Sequence, residues 1–430
     1  MPDIKLILAI AALALFLHLS LTSASVFHAQ KITVLGMNKN GGAFSINSAR
    51  IKTGFVSDQE GPYKYEILSE NMKVLFSDGF SPSQNFFYDS ADENGRLTGG
   101  IVKMDMTSFP LTIPYIDGGY YIRILSGNTS SLLPLPSTAE VSESSVCVDV
   151  LSSGNPADKL DIVFIGDKYN DTQNFINDIE KNKNYLLSLD PFKNNSQKIN
   201  IHAVNRTTDI GCYYNCAGIQ RLICCPYENV SSAASACPYD EIVVLVNNDT
   251  YGGSGGAYTV SYNGYAMPQV VVHELGHSFG QLMDEYSYGI PSGGGMPGPN
   301  CDNISSSSES IACPKWSWAQ GLPYIGCYAQ CTFDNFYRPT YSMCLMYTLS
   351  PGMFDAICQK QLNQQLDSYY NTVAGDVNND CTVDIFDLAS VGSCFGMPPE
   401  GGCTTADNKK DGVIDIFDLA TVGKNFGRTC

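Results

Sequence analysis

The stretch that decides the fold around the site is Val270-Val-Val-His-Glu-Leu-Gly-His-Ser-Phe-Gly-Gln-Leu-Met-Asp-Glu-Tyr286. It holds His273 and His277, four positions apart, with Glu274 directly after the first. Residues four apart lie one turn apart on the same face of a helix, so both imidazoles can reach one metal ion. Glu274 is then placed to act as the base for an attacking water. The pattern predicts a helix that presents a zinc site.

The third ligand of that site is expected to be a carboxylate. A catalytic zinc usually has three protein ligands and one open position, and no histidine follows His277. A continuing helix would carry Asp284 roughly 10 Å along its axis from His277, too far to share one ion. Gly280 can adopt the left-handed conformation that ends a helix and turns the chain back. Asp284 is therefore the predicted third ligand, and Glu285 is the alternative.

Length and composition limit the class of protein. The chain has 430 residues, which is enough for two or three domains. Hydrophobic residues make up 44% and charged residues 16%, as expected of a globular protein. A net charge of −18 argues against nucleic acid as a partner, since that needs a basic face. It suits calcium binding or an acidic secreted surface.

The N-terminus and the cysteines predict export. An apolar run from Leu6 to Leu21 followed by small residues indicates a signal peptide over residues 1–25. The single Lys5 before it leaves an uncleaved signal anchor as the alternative. Sixteen cysteines predict disulfides in an oxidising compartment, with Cys358 paired to an earlier cysteine. Several Asn-x-Ser/Thr sites fit a glycoprotein. We expect a secreted or cell-surface protein.

Patterning divides residues 26–370 into two segments. Residues 26–146 alternate short apolar runs with turn residues, which predicts a β-sandwich. In residues 147–370 buried strand-like runs and helical stretches alternate, which predicts an α/β domain leading into the metal helix. His202 lies in one of those runs and is expected to be a packed or surface histidine rather than a ligand. The glycine-rich segment at 251–265 is expected to form a loop and an edge strand beside the cleft, where an extended peptide can pair.

A family resemblance rests on motifs that follow one another in order. They are Asp161-Ile-Val-Phe-Ile-Gly-Asp-Lys-Tyr169, Asp190-Pro191-Phe192, Val246-Asn247, Tyr251-Gly-Gly-Ser-Gly-Gly256, the stretch from His273 to Tyr286, and Arg338-Pro339. Over residues 155–370 the chain resembles the IgA-peptidase-type family of secreted zinc metallopeptidases, a metzincin-related group. The resemblance implies a zinc endopeptidase with His273, His277 and a carboxylate as ligands and Glu274 as base. It does not imply that immunoglobulin A is the substrate.

Two residues near position 346 are further candidates for this site. In several zinc peptidases a turn bearing a methionine lies beneath the metal, and Met346 is placed to do so. Tyr347 is our candidate donor to the oxyanion that forms during hydrolysis, with Tyr337 as the alternative.

The C-terminal segment, residues 371–430, repeats itself after 31 residues. The repeat has the oxygen-ligand spacing of a calcium loop. The first loop comprises Asp376, Asn378, Asp380, Thr382, Asp384 and Asp387, and the second comprises Asp407, Asp411, Val413, Asp415 and Asp418. Cys381 replaces the usual turn glycine in the first loop, and Lys409 takes a ligand position in the second. We expect the first loop to bind calcium more tightly than the second. The paired loops resemble dockerin domains, which implies a small α-helical module with a cohesin-like partner.

These observations predict a multidomain protein with an N-terminal all-β sandwich, a central α/β metzincin-like zinc peptidase domain and a C-terminal dockerin-like module. We expect a secreted zinc-dependent metalloendopeptidase that hydrolyses peptide bonds of extracellular proteins or glycoproteins. Its cofactors would be catalytic Zn²⁺ and structural Ca²⁺ in the C-terminal repeat. The alternative is a non-enzymatic surface adhesin or scaffold protein with a peptidase-like fold and a docking module.

Overall fold

The computed structural model describes residues 30–40, 42–54, 61–127, 129–135, 146–156, 159–207, 209–292, 297–350, 352–369, 375–378, 382–399, 401–408 and 413–428. The predicted signal peptide lies outside these ranges. Among the helices within them, none combines the length and the apolar character needed to cross a bilayer.

The N-terminal region is built of strands. They are β1 (Gln30–Asn40), β2 (Ala43–Gly54), β3 (Tyr63–Leu68), β4 (Val74–Phe80), β5 (Ser83–Ala91), β6 (Leu97–Asp105), β7 (Ser108–Pro114), β8 (Tyr121–Ser126) and β9 (Thr129–Pro134). One sheet has the order β2-β1-β7 and another the order β4-β3-β8-β9. Side chains from both sheets, among them Leu35, Phe80, Phe109 and Ile122, meet in one core. The predicted strand-rich N-terminal region is confirmed.

Strands β5 and β6 pair only with each other among the named strands described here. This two-stranded hairpin packs against the central part of the chain, where Phe87 forms an antiparallel bridge with Gly255. The sequence analysis did not anticipate that contact.

A mixed sheet forms the centre of the molecule. Its strands are β10 (Cys147–Leu151), β11 (Leu160–Asp167), β12 (Ile199–Val204), β13 (Glu241–Val246), β14 (Gly253–Ser254) and β15 (Thr259–Tyr262), in the order β10-β12-β11-β13-β15-β14. Strands β12, β11, β13 and β15 are parallel, while β10 and β14 pair antiparallel at the two edges. Every residue of β11 and β12 is buried, as expected of parallel strands covered on both faces. The predicted central α/β arrangement is confirmed as a mixed sheet with helices.

Four helices accompany this sheet: α1 (Thr172–Leu186), α2 (Tyr227–Ala234), α3 (Met267–Ser278) and α4 (Ala356–Ser368). Helix α1 begins where the Asp171 side chain accepts a hydrogen bond from the Gln173 N–H, an N-cap that satisfies a free backbone donor. Asp355 caps α4 in the same way through the N–H groups of Ile357 and Cys358. Both helices bury an apolar face in the central core.

Further elements are a hairpin of β16 (Tyr328–Cys331) and β17 (Phe333–Arg338), and two C-terminal helices, α5 (Ile385–Cys394) and α6 (Ile416–Asn425). Short 3₁₀ helices span Lys193–Lys198, Cys216–Gly218, Pro314–Ala319 and Gly401–Ala406. Both C-terminal helices start with a capping box, Asp384 with Asp387 and Asp415 with Asp418. Val383 and Val422 lie in a small core shared by the two repeats. This helical pair is compatible with a dockerin-like module, which stays a prediction.

Disulfides join most of the described cysteines. The bonds are Cys147–Cys237, Cys212–Cys225, Cys216–Cys224, Cys301–Cys331, Cys313–Cys327 and Cys394–Cys403. They are consistent with an extracellular protein. The expected bond from Cys358 to an earlier cysteine is absent from the described residues. Cys358 and Cys344 are both buried thiols, with their sulfur atoms 3.5 Å apart.

Candidate metal centre

Helix α3 carries the two motif histidines through the interior of the molecule. Its residues Val270 to His277 are all buried. An apolar run such as Val270–Val272 suits a helix that is covered on all sides. Since the helix is fixed by packing on every face, the directions of His273 and His277 are fixed with it.

The chain turns back directly after α3, but the residue with the left-handed conformation is not the one that the sequence predicted. The left-handed residue is Gln281, with φ 54°, whereas Gly280 has no positive φ. Our prediction that Gly280 supplies the left-handed conformation is therefore wrong. Gly280 is needed for space instead, because a Cβ there would lie 2.7 Å from the Gly276 carbonyl oxygen and 2.8 Å from Leu362.

This turn brings Asp284 to the two histidines. Asp284 Oδ1 lies 3.2 Å from His273 Nε2 and 3.4 Å from His277 Nε2. One ligand atom from each of the three residues lies within 4.8 Å of the others, and all three residues are buried. Ligands about 2.1 Å from a tetrahedral zinc are about 3.4 Å apart. The observed separations therefore match the edges of such a coordination polyhedron.

Hydrogen bonds orient each of these side chains. His273 Nδ1 lies 2.9 Å from the Leu345 carbonyl oxygen, and His277 Nδ1 lies 2.7 Å from that of Leu282. A proton on Nδ1 that is donated to a carbonyl leaves Nε2 as a neutral ligand atom. Tyr288 donates its hydroxyl proton to Asp284 Oδ2 at 2.6 Å.

The residues present fit a metal ion. The buried atoms His273 Nε2, His277 Nε2 and Asp284 Oδ1 have no hydrogen-bond partner within the described part of the chain. Buried polar atoms are rarely left without partners, and three that converge on one point are explained by a shared cation. The set of two imidazoles and one carboxylate suits Zn²⁺.

The pKa values express the same charge distribution. Burial lowers the pKa of His273, but Asp284, Asp89 and Glu274 raise it by more, because these carboxylates favour a positive charge at this place. For Asp284, burial raises the pKa, while the nearby His277 and His273 lower it by more, so its net pKa lies below the ordinary range. The Asp284 carboxylate is thus ionised when a positive charge lies beside it.

Glu274 lies beneath the edge strand of the sheet. Both of its carboxylate oxygens are buried and have no hydrogen-bond partner among the residues described. A Cβ at Gly255 would lie 2.7 Å from Glu274 Oε2, and one at Gly253 would lie 3.1 Å from Oε1. These glycines therefore leave the space that the carboxylate occupies. Burial and then Asp89 raise the pKa of Glu274 well above its usual value.

Met346 packs against helix α3. Met346 is buried, and its sulfur would lie 2.6 Å from a Cβ at Gly276, the residue before His277. The Met346 carbonyl accepts a hydrogen bond from the Glu285 N–H at 2.8 Å. Tyr347, the predicted oxyanion donor, packs its ring against the Arg338 guanidinium at 4.8 Å. Its catalytic role stays a prediction.

Two other groups of metal-ligating residue types lie within the described part of the chain. In one, Cys147 is in a disulfide, and His202 lies 2.7 Å from Asp149 and 2.9 Å from Asp161, so hydrogen bonds account for the histidine. The other group consists of Glu285, Cys344, Asp355 and Cys358.

Sequence reasoning missed the residues that the N-terminal hairpin brings to this site. Asp89 Oδ2 lies 3.4 Å from His273 Nε2, and the Tyr251 hydroxyl donates to Asp89 Oδ1 at 2.8 Å. The Phe87 ring stacks on the His277 ring, with centroids 3.9 Å apart and planes 9° from parallel. No pattern in the N-terminal strands marks Asp89, because one aspartate in a strand carries no spacing signal.

The calcium predictions are only partly covered by the structure. Asp380 and Asp411 lie outside the described residues. Asp387 uses its side chain within the fold, since Oδ1 accepts from the N–H groups of Val377 at 2.7 Å and Asn378 at 3.0 Å. The loop residues Asp376, Asp407 and Asp418 are also buried. Binding of calcium stays a prediction for both loops.

Comparison with known proteins gives one finding. No curated protein matches this chain. Residues 148–333, which include the central sheet, helix α3 and the three clustered residues, match the sequence model of the family described as IgA Peptidase M64. The match spans less than half of the chain, and within that part it indicates a metallopeptidase. The central part of this chain is thus similar to the M64 peptidases, and the match supports a peptidase.

Proposed function

We propose that this protein is a secreted zinc-dependent metalloendopeptidase that hydrolyses peptide bonds of extracellular proteins or glycoproteins. The observation that carries the proposal is the buried cluster of His273, His277 and Asp284 beside the unpartnered Glu274 carboxylate. The M64 family match over the same residues supports it independently.

Each residue has a distinct task in this proposal. His273, His277 and Asp284 hold the zinc. When bound, zinc polarises the scissile carbonyl and lowers the pKa of water. Glu274 takes the proton from the attacking water at its carboxylate and passes that proton to the leaving amine. Tyr347 is kept as the proposed oxyanion donor.

The edge strand β14 supports an endopeptidase rather than an enzyme that trims chain ends. Gly253 and Gly255 lie against the Glu274 carboxylate. An extended peptide can add to a sheet edge through backbone hydrogen bonds, and at Gly255 the chain's own Phe87 pairs in this way. A substrate bound there would pass directly over the proposed base, with chain continuing in both directions.

The C-terminal repeat is proposed as a calcium-binding module with a cohesin-like protein partner. The start of each helix exposes an equivalent apolar pair, Ile385 with Phe386 and Ile416 with Phe417. Apolar residues that stay exposed at matching positions suit a docking surface. Calcium titration of the whole protein by calorimetry tests the first step, and absence of any calcium-dependent heat would remove the module from the proposal.

The function is tested by measuring bound zinc and by peptide-library cleavage with the zinc-loaded protein. We expect about one zinc per chain and chelator-sensitive cleavage within peptides, with calcium kept constant. The β5–β6 hairpin contacts this site through Asp89 and Phe87. A chain that binds no zinc, or that cleaves no peptide even when this hairpin is displaced from the site, would contradict the proposal. It would favour the adhesin or scaffold alternative.

A further inference from the structure

We propose that strand β5 occupies the place of a substrate strand at the metal centre and that Asp89 is an additional ligand on the open side of the metal. The protein would thereby hold itself latent until the β5–β6 hairpin moves away. This inference rests on the proposed peptidase function, since it assigns an occupant to that cleft.

Backbone pairing is the first observation. Phe87 N–H donates to the Gly255 carbonyl at 3.1 Å, and Gly255 N–H donates to the Phe87 carbonyl at 3.4 Å. The bridge is antiparallel and lies directly after the edge strand β14, whose Gly253 pairs in parallel with Leu222. This is the way in which an extended peptide adds to a sheet edge. The pairing groups of Gly255, directly over Glu274, are therefore already used by the protein's own chain.

Side-chain direction is the second observation. Residues two apart in a strand point to the same side, and Phe87 and Asp89 both face the motif histidines. Phe87 stacks on His277, while Asp89 Oδ2 approaches His273 Nε2 to 3.4 Å. Strand β5 thus places one side chain against each of the two histidines.

The state of Asp89 is the third observation. Its exposure is 1%, and Oδ2 has no hydrogen-bond partner in the described ranges, whereas Oδ1 accepts from Tyr251. Burying an ionised carboxylate is costly unless a cation or donor compensates for it. A cation held by His273 would supply that compensation. The separation of 3.4 Å between Asp89 Oδ2 and His273 Nε2 is that of two ligands of one ion, and a shift of Asp89 toward His277 and Asp284 would complete the coordination.

Asp89 stands apart from the compact group of His273, His277 and Asp284. It accepts a hydrogen bond from Tyr251, which is followed in the chain by Gly253 and Gly255, the glycines that lie against Glu274. The water that Glu274 would deprotonate and the scissile carbonyl must both lie next to Glu274. A carboxylate placed there excludes both reactants.

The hairpin is held at its tip as well as along β5. The Gly95 carbonyl accepts hydrogen bonds from Thr348 Oγ1 and from the Leu349 N–H, each at 2.8 Å. A cavity of about 570 Å³ borders the hairpin, and its lining includes Asn85 and Phe87 of β5, His277 of α3 and residues of β1, β2, β7 and α4. One side of β5 therefore faces open space, which suits a segment that separates from its site.

The experiment compares the full-length protein with Asp89→Ala and with Asp89→Asn, which keeps the shape and a group for Tyr251 to bond. Glu93→Ala is the control, since Glu93 is an exposed acid at the tip of the same hairpin. Cobalt replaces zinc, and the visible spectrum reports the metal's ligands without any turnover. Binding of a peptide hydroxamate measures access to the metal, and peptide cleavage measures kcat/KM.

We expect the cobalt spectrum to change in both Asp89 variants, with hydroxamate affinity and kcat/KM rising at least about tenfold. Glu93→Ala should match the wild type in all three. Unchanged spectra and unchanged hydroxamate affinity in folded Asp89 variants would overturn the proposal. Failure of every form to cleave peptides, with the spectral and affinity changes present, would instead contradict the peptidase function and leave Asp89 as a ligand.

Discussion

Asp284 and Glu285 are neighbours in the chain, yet their carboxylates enter two different buried clusters. Asp284 Oδ1 lies 3.2 Å from His273 Nε2. Glu285 Oε1 lies 3.2 Å from the Cys358 sulfur and accepts from the Asn300 amide at 3.0 Å. Residues that follow one another in an extended chain point in opposite directions. Only Asp284 is therefore directed at the histidines.

Replacing each carboxylate by its amide tests this separation. We expect Asp284→Asn to weaken zinc binding by more than the roughly 10–100-fold cost of losing an outer hydrogen-bond partner. Glu285→Gln should keep zinc, because its partners lie elsewhere. Competition with a chelating dye measures both affinities. Normal zinc affinity in Asp284→Asn, with loss in Glu285→Gln, would reverse the ligand assignment.

Replacing Glu274 by glutamine tests the base. The amide has the same shape but cannot take a proton, so kcat should fall by about 10²–10⁴-fold. Zinc content and melting temperature should not fall, because Glu274 is outside the ligand cluster and its buried charge is costly. The peptide assay should be run beside a metal measurement on the same sample. Undiminished hydrolysis by Glu274→Gln would eliminate this mechanism.

The turn after α3 can be tested at two adjacent positions. Gly280→Ala should destabilise the fold by about 1–3 kcal/mol, because the new methyl group overlaps the Gly276 carbonyl and Leu362. Gln281→Gly relieves a left-handed residue and should change stability by less than about 1 kcal/mol. Urea denaturation measures both. If Gly280→Ala is harmless while Gln281→Gly destabilises, this account of the turn is incorrect.

His202 should make stability depend on pH. Burial lowers its pKa, but the hydrogen bonds that the imidazole donates to Asp161 and Asp149 raise it by more, so the folded-state pKa is above the ordinary value. The charged histidine therefore contributes fully below the unfolded pKa of about 6.5. That contribution is lost as the pH rises through the folded-state pKa.

Replacement of His202 by glutamine removes this contribution. The variant should be less stable than the wild type by about 1–3 kcal/mol at mildly acidic pH, with the difference narrowing as the pH rises. Chemical denaturation across a pH series gives the two curves. A difference that stays constant or widens with pH would show that His202 acts by packing alone.

Cys344 and Cys358 should behave as inaccessible thiols. Both are fully buried, and burial raises the pKa of Cys344 to about 12, so thiolate is scarce at neutral pH. We expect iodoacetamide to leave both unlabelled in the native protein and to label both after unfolding without reductant. Peptide mapping by mass spectrometry gives the answer. A linked peptide containing both residues would show a seventh bond beyond those described here.

The sequence alone determined the parts of this protein that depend on short-range spacing. His273 and His277 share a helix face because the helical repeat puts residues four apart together. The runs that became β11, β12 and β13 could be located because parallel strands covered on both faces are continuously apolar. Gly280 was identified as a special position, although for the wrong reason, since its φ is ordinary and its neighbours are too close for a side chain.

Tertiary structure alone decided what else reaches the metal centre. Asp89 and Phe87 come from a hairpin far from α3 in the chain, and no local periodicity links a single aspartate to a distant histidine. The choice between Asp284 and Glu285 depended on a turn centred on Gln281, where a left-handed residue other than glycine leaves little sequence signal. Helical and strand periods are properties of the backbone and can be read from spacing. Contacts between segments depend on how whole surfaces fit together, and only the folded chain contains that information.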